Sequence, residues 1–159
     1  MRKQRWMATA AFALSASLAI AGIALAGGQS QLADVRQATA PLRDATRAEA
    51  AGYERFLPCF ESSAGGMGQH YVDLSRLDGV IEPNNPEALV YEVRGDDLKL
   101  VAVEYIVPQA AWGPTAPRLF GHDFTKNDTL GIWALHAWIW RPNPDGMFAN
   151  YNPSVRGCP

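Results

Sequence analysis

Four segments of the chain have the apolar patterning of β-strands. Residues 88–93 and 98–107 are apolar runs rich in Val and Tyr, and residues 94–97 (RGDD) between them suit a hairpin loop. Residues 69–74 form a shorter strand candidate, and residues 131–140 form a third strong one. Because hairpin loops join neighbouring strands, we expect an antiparallel sheet.

The part of the chain before these strands has a helical pattern. Residues 31–51 are mostly good helix formers with an apolar stripe, interrupted at Pro41 and followed by Gly52. Residues 53–68, rich in Gly and Ser, are expected to form a loop. Helices first and strands afterwards predict an α+β fold, in which an N-terminal helix or kinked helix pair packs on a small antiparallel sheet in a single domain.

The first residues have the pattern of a secretory signal peptide. Arg2, Lys3 and Arg5 precede an uncharged, Ala-rich run that ends in Ala24-Leu25-Ala26. We predict a signal peptide over residues 1–26, cleavage after Ala26, and a secreted or periplasmic single domain over residues 27–159. The alternative is an uncleaved membrane anchor, because about 20 mostly apolar residues can span a bilayer.

Charge and cysteine content narrow the classes of protein. The chain without residues 1–26 has 11 Lys and Arg against 16 Asp and Glu, a net charge of −5. An acidic domain without a basic run predicts no nucleic-acid partner and no membrane association after cleavage. Cys59 and Cys158 are the two cysteines of the chain, and in an oxidising compartment we expect them to form a disulfide.

Three predicted strands each carry one polar side chain with ligand character. Side chains alternate across a strand, so residues two apart share a face. This rule places each of three polar side chains, Glu104, His136 and His70, among apolar neighbours, where an unpaired charge is costly. The expected neighbours are Leu98, Leu100, Ala102 and Ile106 for Glu104, Ala134, Trp138 and Trp140 for His136, and Val72 and Leu74 for His70.

Two histidines and a carboxylate from different strands are the minimum of a transition-metal site with open positions. We therefore predict that His70, Glu104 and His136 bind one Cu, Zn or Fe ion. His122 and Met67 are possible additional ligands, and Asp123, beside His122 in a loop, is a candidate base. The alternative is a cluster of the same side chains that is purely structural and hydrogen-bonded within the sheet.

Other patterns in the sequence indicate alternatives to a metal site. Residues 65–68 (GGMG) precede a strand, not a helix, so their glycines are expected to serve positive φ angles or close backbone contacts instead of a phosphate. Trp112, Trp133, Trp138 and Trp140 are expected in the core or along a ligand groove. Glu104 with Asp123 is the carboxylate pair that a metal-free hydrolase would use.

An ordered series of motifs carries a resemblance that spans about residues 38–158. The motifs are AAGY (50–53), Cys59, GMGQHYVD (66–73), PEALVYE (86–92), LVAVEY (100–105), LFGHDF (119–124), LHAWIWRPNPDGMFANYNP (135–153) and Cys158. The chain thus resembles a family of small exported bacterial proteins of unknown function, typified by Gly-Met-Gly-x-His-Tyr-Val-Asn. Asp73 stands where that pattern has Asn. The resemblance implies one exported domain and no particular reaction.

The sequence therefore predicts a secreted or periplasmic domain that binds one transition metal through His and Glu side chains on an antiparallel sheet. The reaction, if there is one, is not specified. The alternative is a non-catalytic module that binds a small-molecule ligand or an envelope component through an aromatic groove.

Overall fold

The computed structural model of the protein describes residues 17–159. Its helices are α1 (Ser17–Thr39), α2 (Ala45–Ala50) and α3 (Gln109–Trp112), with 3-10 turns at Ala40–Arg43 and Leu74–Arg76. Its strands are β1 (Glu54–Ser62), β2 (Gly65–Val72), β3 (Ala88–Arg94), β4 (Asp97–Pro108), β5 (Arg118–Leu119), β6 (His122–Asp123), β7 (Thr125–Asn127) and β8 (Ile132–Ala137). Most of the predicted signal peptide lies outside the described residues. Within them, no helix combines the length and apolar character needed to cross a membrane.

The helical segment is interrupted at Pro41, as predicted. α1 ends at Thr39, the 3-10 turn contains Pro41, and α2 begins after Asp44, whose carboxylate accepts a hydrogen bond from the backbone N–H of Thr46. Such a cap satisfies a helix N–H that has no partner within the helix. Gly52, with φ at 97°, then leads the chain into the sheet.

The main sheet is antiparallel throughout, with strand order β1-β2-β3-β4-β8-β7. β3 and β4 form the predicted hairpin, in which Arg94 pairs with Asp97 around a two-residue loop. β5 and β6 form a separate small sheet. The N-terminal helix, the antiparallel sheet and one disulfide are thus all present.

The largest apolar core lies on one face of the sheet. It contains sheet residues of odd number, among them Val103, Tyr105 and Leu135, together with Val35 and Ala48 from the helices. These side chains are almost fully buried, and the hydrophobic effect favours removing such apolar surface from water. The opposite face of β8, and of β4 from Ala102 onward, is therefore left for the even-numbered residues.

The prediction of a loop over residues 53–68 is wrong, because β1 occupies most of this range. β1 is an edge strand whose residues are exposed or half-buried, so it lacks an apolar alternation that would have marked it. It contains Pro58 and an irregular register, and Leu57 has a φ of 59°. The side-chain amide of Gln69 on β2 donates to the carbonyls of Phe56 and Leu57, which supports β1 where the strand pairing is interrupted.

Glycines at the start of β2 allow close backbone contacts, as expected. A Cβ on Gly68 would lie 2.6 Å from the carbonyl oxygen of Tyr91, and its φ is 102°. A Cβ on Gly66 would lie 2.6 Å from the carbonyl oxygen of Arg156 in the C-terminal segment. This segment is joined to β1 by the predicted disulfide between Cys59 and Cys158, whose Cα atoms are 5.7 Å apart.

The expected neighbours of Glu104 hold for only part of β4. Val90 pairs with Ala102 but Tyr91 pairs with Leu100, so a bulge interrupts the alternation of side chains between them. Leu100 therefore belongs to the core on the helix side, whereas Ile106 stays on the face of Glu104. β8 also ends at Ala137, before the predicted end of its strand.

Candidate metal centre

The sheet register brings together one side chain from each of β2, β4 and β8. Glu104 pairs directly with His136 on β8 and, on its other side, with Ala88 on β3. His70 on β2 is two residues before Val72, which pairs with Ala88. The small side chain of Ala88 lies between the strands of His70 and Glu104, so two longer side chains can meet above it.

The ligand atoms of this His70–Glu104–His136 cluster all lie within 4.8 Å of one another. Nε2 of His70 is 3.3 Å from Oε2 of Glu104, and Nε2 of His136 is 3.4 Å from Oε1. His70 is 6% exposed, Glu104 is 5% exposed and His136 is 3% exposed, so bulk water does not solvate the cluster.

These N–O distances suit ligands of a common metal better than direct hydrogen bonds. N–H···O hydrogen bonds in proteins are typically about 2.7–3.2 Å long. Two donors that are each about 2.0–2.1 Å from a tetrahedral zinc ion are about 3.3–3.4 Å apart. Nε2 of His136 is also buried and has no hydrogen-bond partner among residues 17–159, although a buried imidazole nitrogen normally has one. The donor set and its spacing therefore fit a metal ion.

Burial sets the protonation of the three groups. It lowers the pKa of His70 to about 4, and burial together with the His70 charge lowers the pKa of His136 to about 3. Burial, assisted by the carboxylate of Glu87, raises the pKa of Glu104 to about 8. The imidazoles are thus neutral near pH 7, the form that binds metals, and strong ion pairs do not hold the cluster together.

Aromatic contacts hold the imidazole rings in place. The ring of His136 stacks on Trp138 with centroids 5.7 Å apart, and Phe60 of β1 contacts His70 edge-to-face at 5.6 Å. Neither Nδ1 atom of the two histidines has a hydrogen-bond partner in the described chain. The orientation of both rings therefore comes from packing and not from the second hydrogen bond that often orients a metal ligand.

The cluster lines a cavity of about 440 Å³, which is within the size range of small-molecule sites. One wall is apolar and comes from β1 and β2, with Phe56, Phe60 and Met67. The other wall is more polar and comes from β7 and the loop after it, including Thr125 and Asn127. Both edge strands of the sheet line the same cavity, so the sheet curls around the cluster.

The remaining predicted site residues differ in their positions. Met67 lines the cavity. His122 is exposed on β6, where its ring stacks on Phe148, and Asp123 is exposed beside Arg118. Neither the expected additional ligand His122 nor the candidate base Asp123 lines the cavity or belongs to the cluster.

The aromatic residues that line the cavity were not identified from the sequence. They are Phe56, Phe60 and Tyr151, whereas none of the four predicted tryptophans lines it. Trp133 and Trp138 are buried, and Trp112 is exposed elsewhere. Phe56 and Phe60 were missed because an edge strand with Pro58 does not have the pattern of a strand.

The structure combines an antiparallel sheet, a disulfide between β1 and the C-terminal segment, and a buried cluster of two histidines and one carboxylate. No protein family model, curated protein sequence or solved structure matches the chain. The resemblance to exported bacterial proteins therefore stays a prediction from the sequence.

Proposed function

We propose that the protein binds one transition-metal ion, with His70, Glu104 and His136 as ligands. The observation that carries this proposal is the spacing of the two Nε2 atoms from the Glu104 carboxylate, 3.3 and 3.4 Å, together with the buried Nε2 of His136, which has no hydrogen-bond partner among the described residues. Two neutral imidazoles and one carboxylate are donors that suit Zn, Fe and Cu. Three protein ligands leave at least one coordination position for a ligand from the cavity.

A metal in this position would act as a Lewis acid or activate a bound water. The chain's own residues exclude bulk water, orient the imidazoles through Trp138 and Phe60, and present an apolar wall beside the open position. Asp123 is exposed and forms an ion pair with Arg118. Its position therefore supports neither a role as the base beside the metal nor a metal-free hydrolase that pairs it with Glu104. Met67 lines the cavity, where its side chain can contact a bound ligand.

We place this activity outside the cytoplasm. The disulfide between Cys59 and Cys158 is typical of proteins in oxidising compartments. The finer proposal is a secreted or periplasmic domain over residues 27–159, released by cleavage after Ala26. It rests on the basic, apolar and small-residue pattern of residues 1–26 and on the resemblance to exported proteins.

The second candidate function is a non-catalytic module that binds a small molecule or envelope component without metal. The size of the cavity and its walls from Phe56, Phe60 and Tyr151 favour it. In that case the cluster of His70, Glu104 and His136 is a structural element. The two candidates differ in whether ligand binding is sensitive to chelation.

Metal analysis of protein purified from the periplasm, followed by titration of metal-free protein with zinc, copper and iron, tests the proposal. We expect one ion per chain for the wild type and a loss of binding for His136→Ala. His122→Ala is the matched control, because His122 is the third histidine but is exposed and outside the cavity. Far-UV circular dichroism verifies that each variant is folded. A folded wild type that binds none of the three metals, or a His122→Ala variant that loses binding while His136→Ala keeps it, contradicts the proposal.

A further inference from the structure

The cavity above the cluster has two chemically different sides. β1 and β2 contribute Phe56, Phe60 and Met67, and Phe56 is 39% exposed at the open edge. On the opposite rim, Leu130 is 46% exposed. Large exposed apolar side chains on both rims of one cavity indicate a site for an apolar body, because covering them removes apolar surface from water.

Among the charged groups that line the cavity, none offers an unpaired positive charge, so an anion would bind at the metal position. Lys126 and Asp128 both line the rim, and their side chains are 2.7 Å apart, so they neutralise each other. A divalent ion held by neutral imidazoles and the Glu104 carboxylate retains a net charge of about +1 among its ligands. Glu87, the other carboxylate that acts on Glu104, does not line the cavity, and it accepts a hydrogen bond from the backbone N–H of Ile106.

We propose that the cavity binds a small carboxylate with an apolar body, whose carboxylate takes the open coordination position of the metal and whose apolar part contacts Phe56, Phe60 and Met67. This proposal rests on the proposed metal site. It adds the chemical class of the ligand: an anionic head within reach of His70, Glu104 and His136, and a body that fits a cavity of about 440 Å³.

The probe for this proposal is 3-phenylpropionate, titrated calorimetrically into zinc-loaded and metal-free protein. Zinc binding is measured first, so that failure of the metal site is recognised separately from failure of the ligand assignment. Acetate lacks the apolar body and 3-phenylpropan-1-ol lacks the carboxylate. We expect 3-phenylpropionate to bind the zinc-loaded protein at least about tenfold more tightly than either compound, and at least about tenfold more tightly than it binds metal-free protein. In the cobalt-loaded protein, it should also change the visible absorption spectrum, because its carboxylate enters the coordination sphere.

Two pairs of variants locate the apolar part of the probe. Phe56→Ala should weaken 3-phenylpropionate about five- to tenfold and leave zinc affinity within about twofold, because the side chain contacts the body and not the metal. Trp112→Ala, an exposed aromatic residue outside the cavity, is its control. Leu130→Ala and its control, Leu74→Ala, form a second pair. The two side chains are 46% and 51% exposed, but of the two only Leu130 lines the cavity.

Several results would overturn the proposal. If the protein binds zinc but 3-phenylpropionate binds no more tightly than acetate, the apolar body is not recognised. Equal affinity for the alcohol, or for metal-free protein, would show that the carboxylate does not coordinate the metal. Equal effects of Phe56→Ala and Trp112→Ala would place the ligand outside the cavity.

Discussion

Glu104 contacts two histidines through different oxygen atoms: Oε1 lies 3.4 Å from Nε2 of His136, and Oε2 lies 3.3 Å from Nε2 of His70. A single carboxylate on β4 thus connects β8 on one side with β2 beyond β3 on the other. Because the same group is 5% exposed, burial disfavours its ionised form, and in the proposed site a bound metal ion would compensate the charge of the carboxylate.

Replacing this carboxylate separates metal binding from folding. Glu104→Gln should lower zinc affinity at least about 100-fold, because the amide lacks the negative charge and is a weak ligand. The free energy of unfolding of the metal-free protein should be unchanged or higher, since a buried ionisable group is removed. Chelator competition and urea denaturation measure the two quantities. Glu54→Gln, at an exposed position of β1, should alter neither, and an unaltered zinc affinity in Glu104→Gln would exclude the carboxylate as a ligand.

The close contact at Gly68 predicts a large effect of one methyl group. In Gly68→Ala the Cβ would lie 2.6 Å from the Tyr91 carbonyl oxygen, in addition to the cost of a φ of 102°. We expect the free energy of unfolding to fall by about 3 kcal/mol or more in urea denaturation. Gly95→Ala is the matched control, because its φ is also positive, at 61°, but apart from its chain neighbours no described residue has an atom within 4 Å of the added Cβ. It should lose only about 1 kcal/mol, and equal losses in both variants would argue against the contact.

The disulfide should stabilise the attachment of the C-terminal segment. It closes a separation of 99 residues, and the double variant Cys59→Ala/Cys158→Ala should unfold with a free energy lower by about 2–5 kcal/mol. The backbone N–H of Arg156 still donates to Glu92, so the segment keeps a second attachment. Urea denaturation of the variant and of the reduced wild type measures the loss. Agreement between the two is expected, and an unchanged midpoint in both would show that the disulfide does not contribute to stability.

Glu87, a buried carboxyl group that does not line the cavity, predicts a pH dependence of stability. Burial is the largest cause that raises its pKa to about 7, although the hydrogen bond from Ile106 opposes it. In the unfolded chain a Glu has a pKa of about 4.3. The stability contributed by the protonated group is therefore complete below about pH 4 and is lost as the pH rises through about 7, by about 4 kcal/mol.

Glu87→Gln should remove this dependence, because the amide oxygen still accepts the hydrogen bond from Ile106 but does not ionise. The measurement is the difference in free energy of unfolding between wild type and variant from pH 4 to pH 8. We expect the variant to become relatively more stable with rising pH. Glu82→Gln, at an exposed carboxylate of the same surface cleft, is the control. A constant difference for Glu87→Gln across this range would contradict the shifted pKa.

Local patterns predicted most of the secondary structure, because they depend on neighbours in sequence. The break at Pro41, the hairpin loop at residues 94–97 and the strands on both sides of it follow from backbone chemistry and apolar runs. β1 was missed because an exposed edge strand has no buried face that would produce an alternating pattern. The bulge before Ala102 was missed because alternation is a local rule, whereas a bulge depends on the partner strand.

The sequence by itself determined that His70, Glu104 and His136 lie on strands among apolar residues, and that Cys59 and Cys158 are available to pair. Only the tertiary structure decided that β2, β4 and β8 lie in one register that brings the three ligand atoms within 4.8 Å. Register is set by pairing across the whole sheet and by packing of the core on its other face. The curl that brings β1 and β7 to one cavity, and leaves His122 outside it, likewise depends on contacts between residues that are distant in sequence.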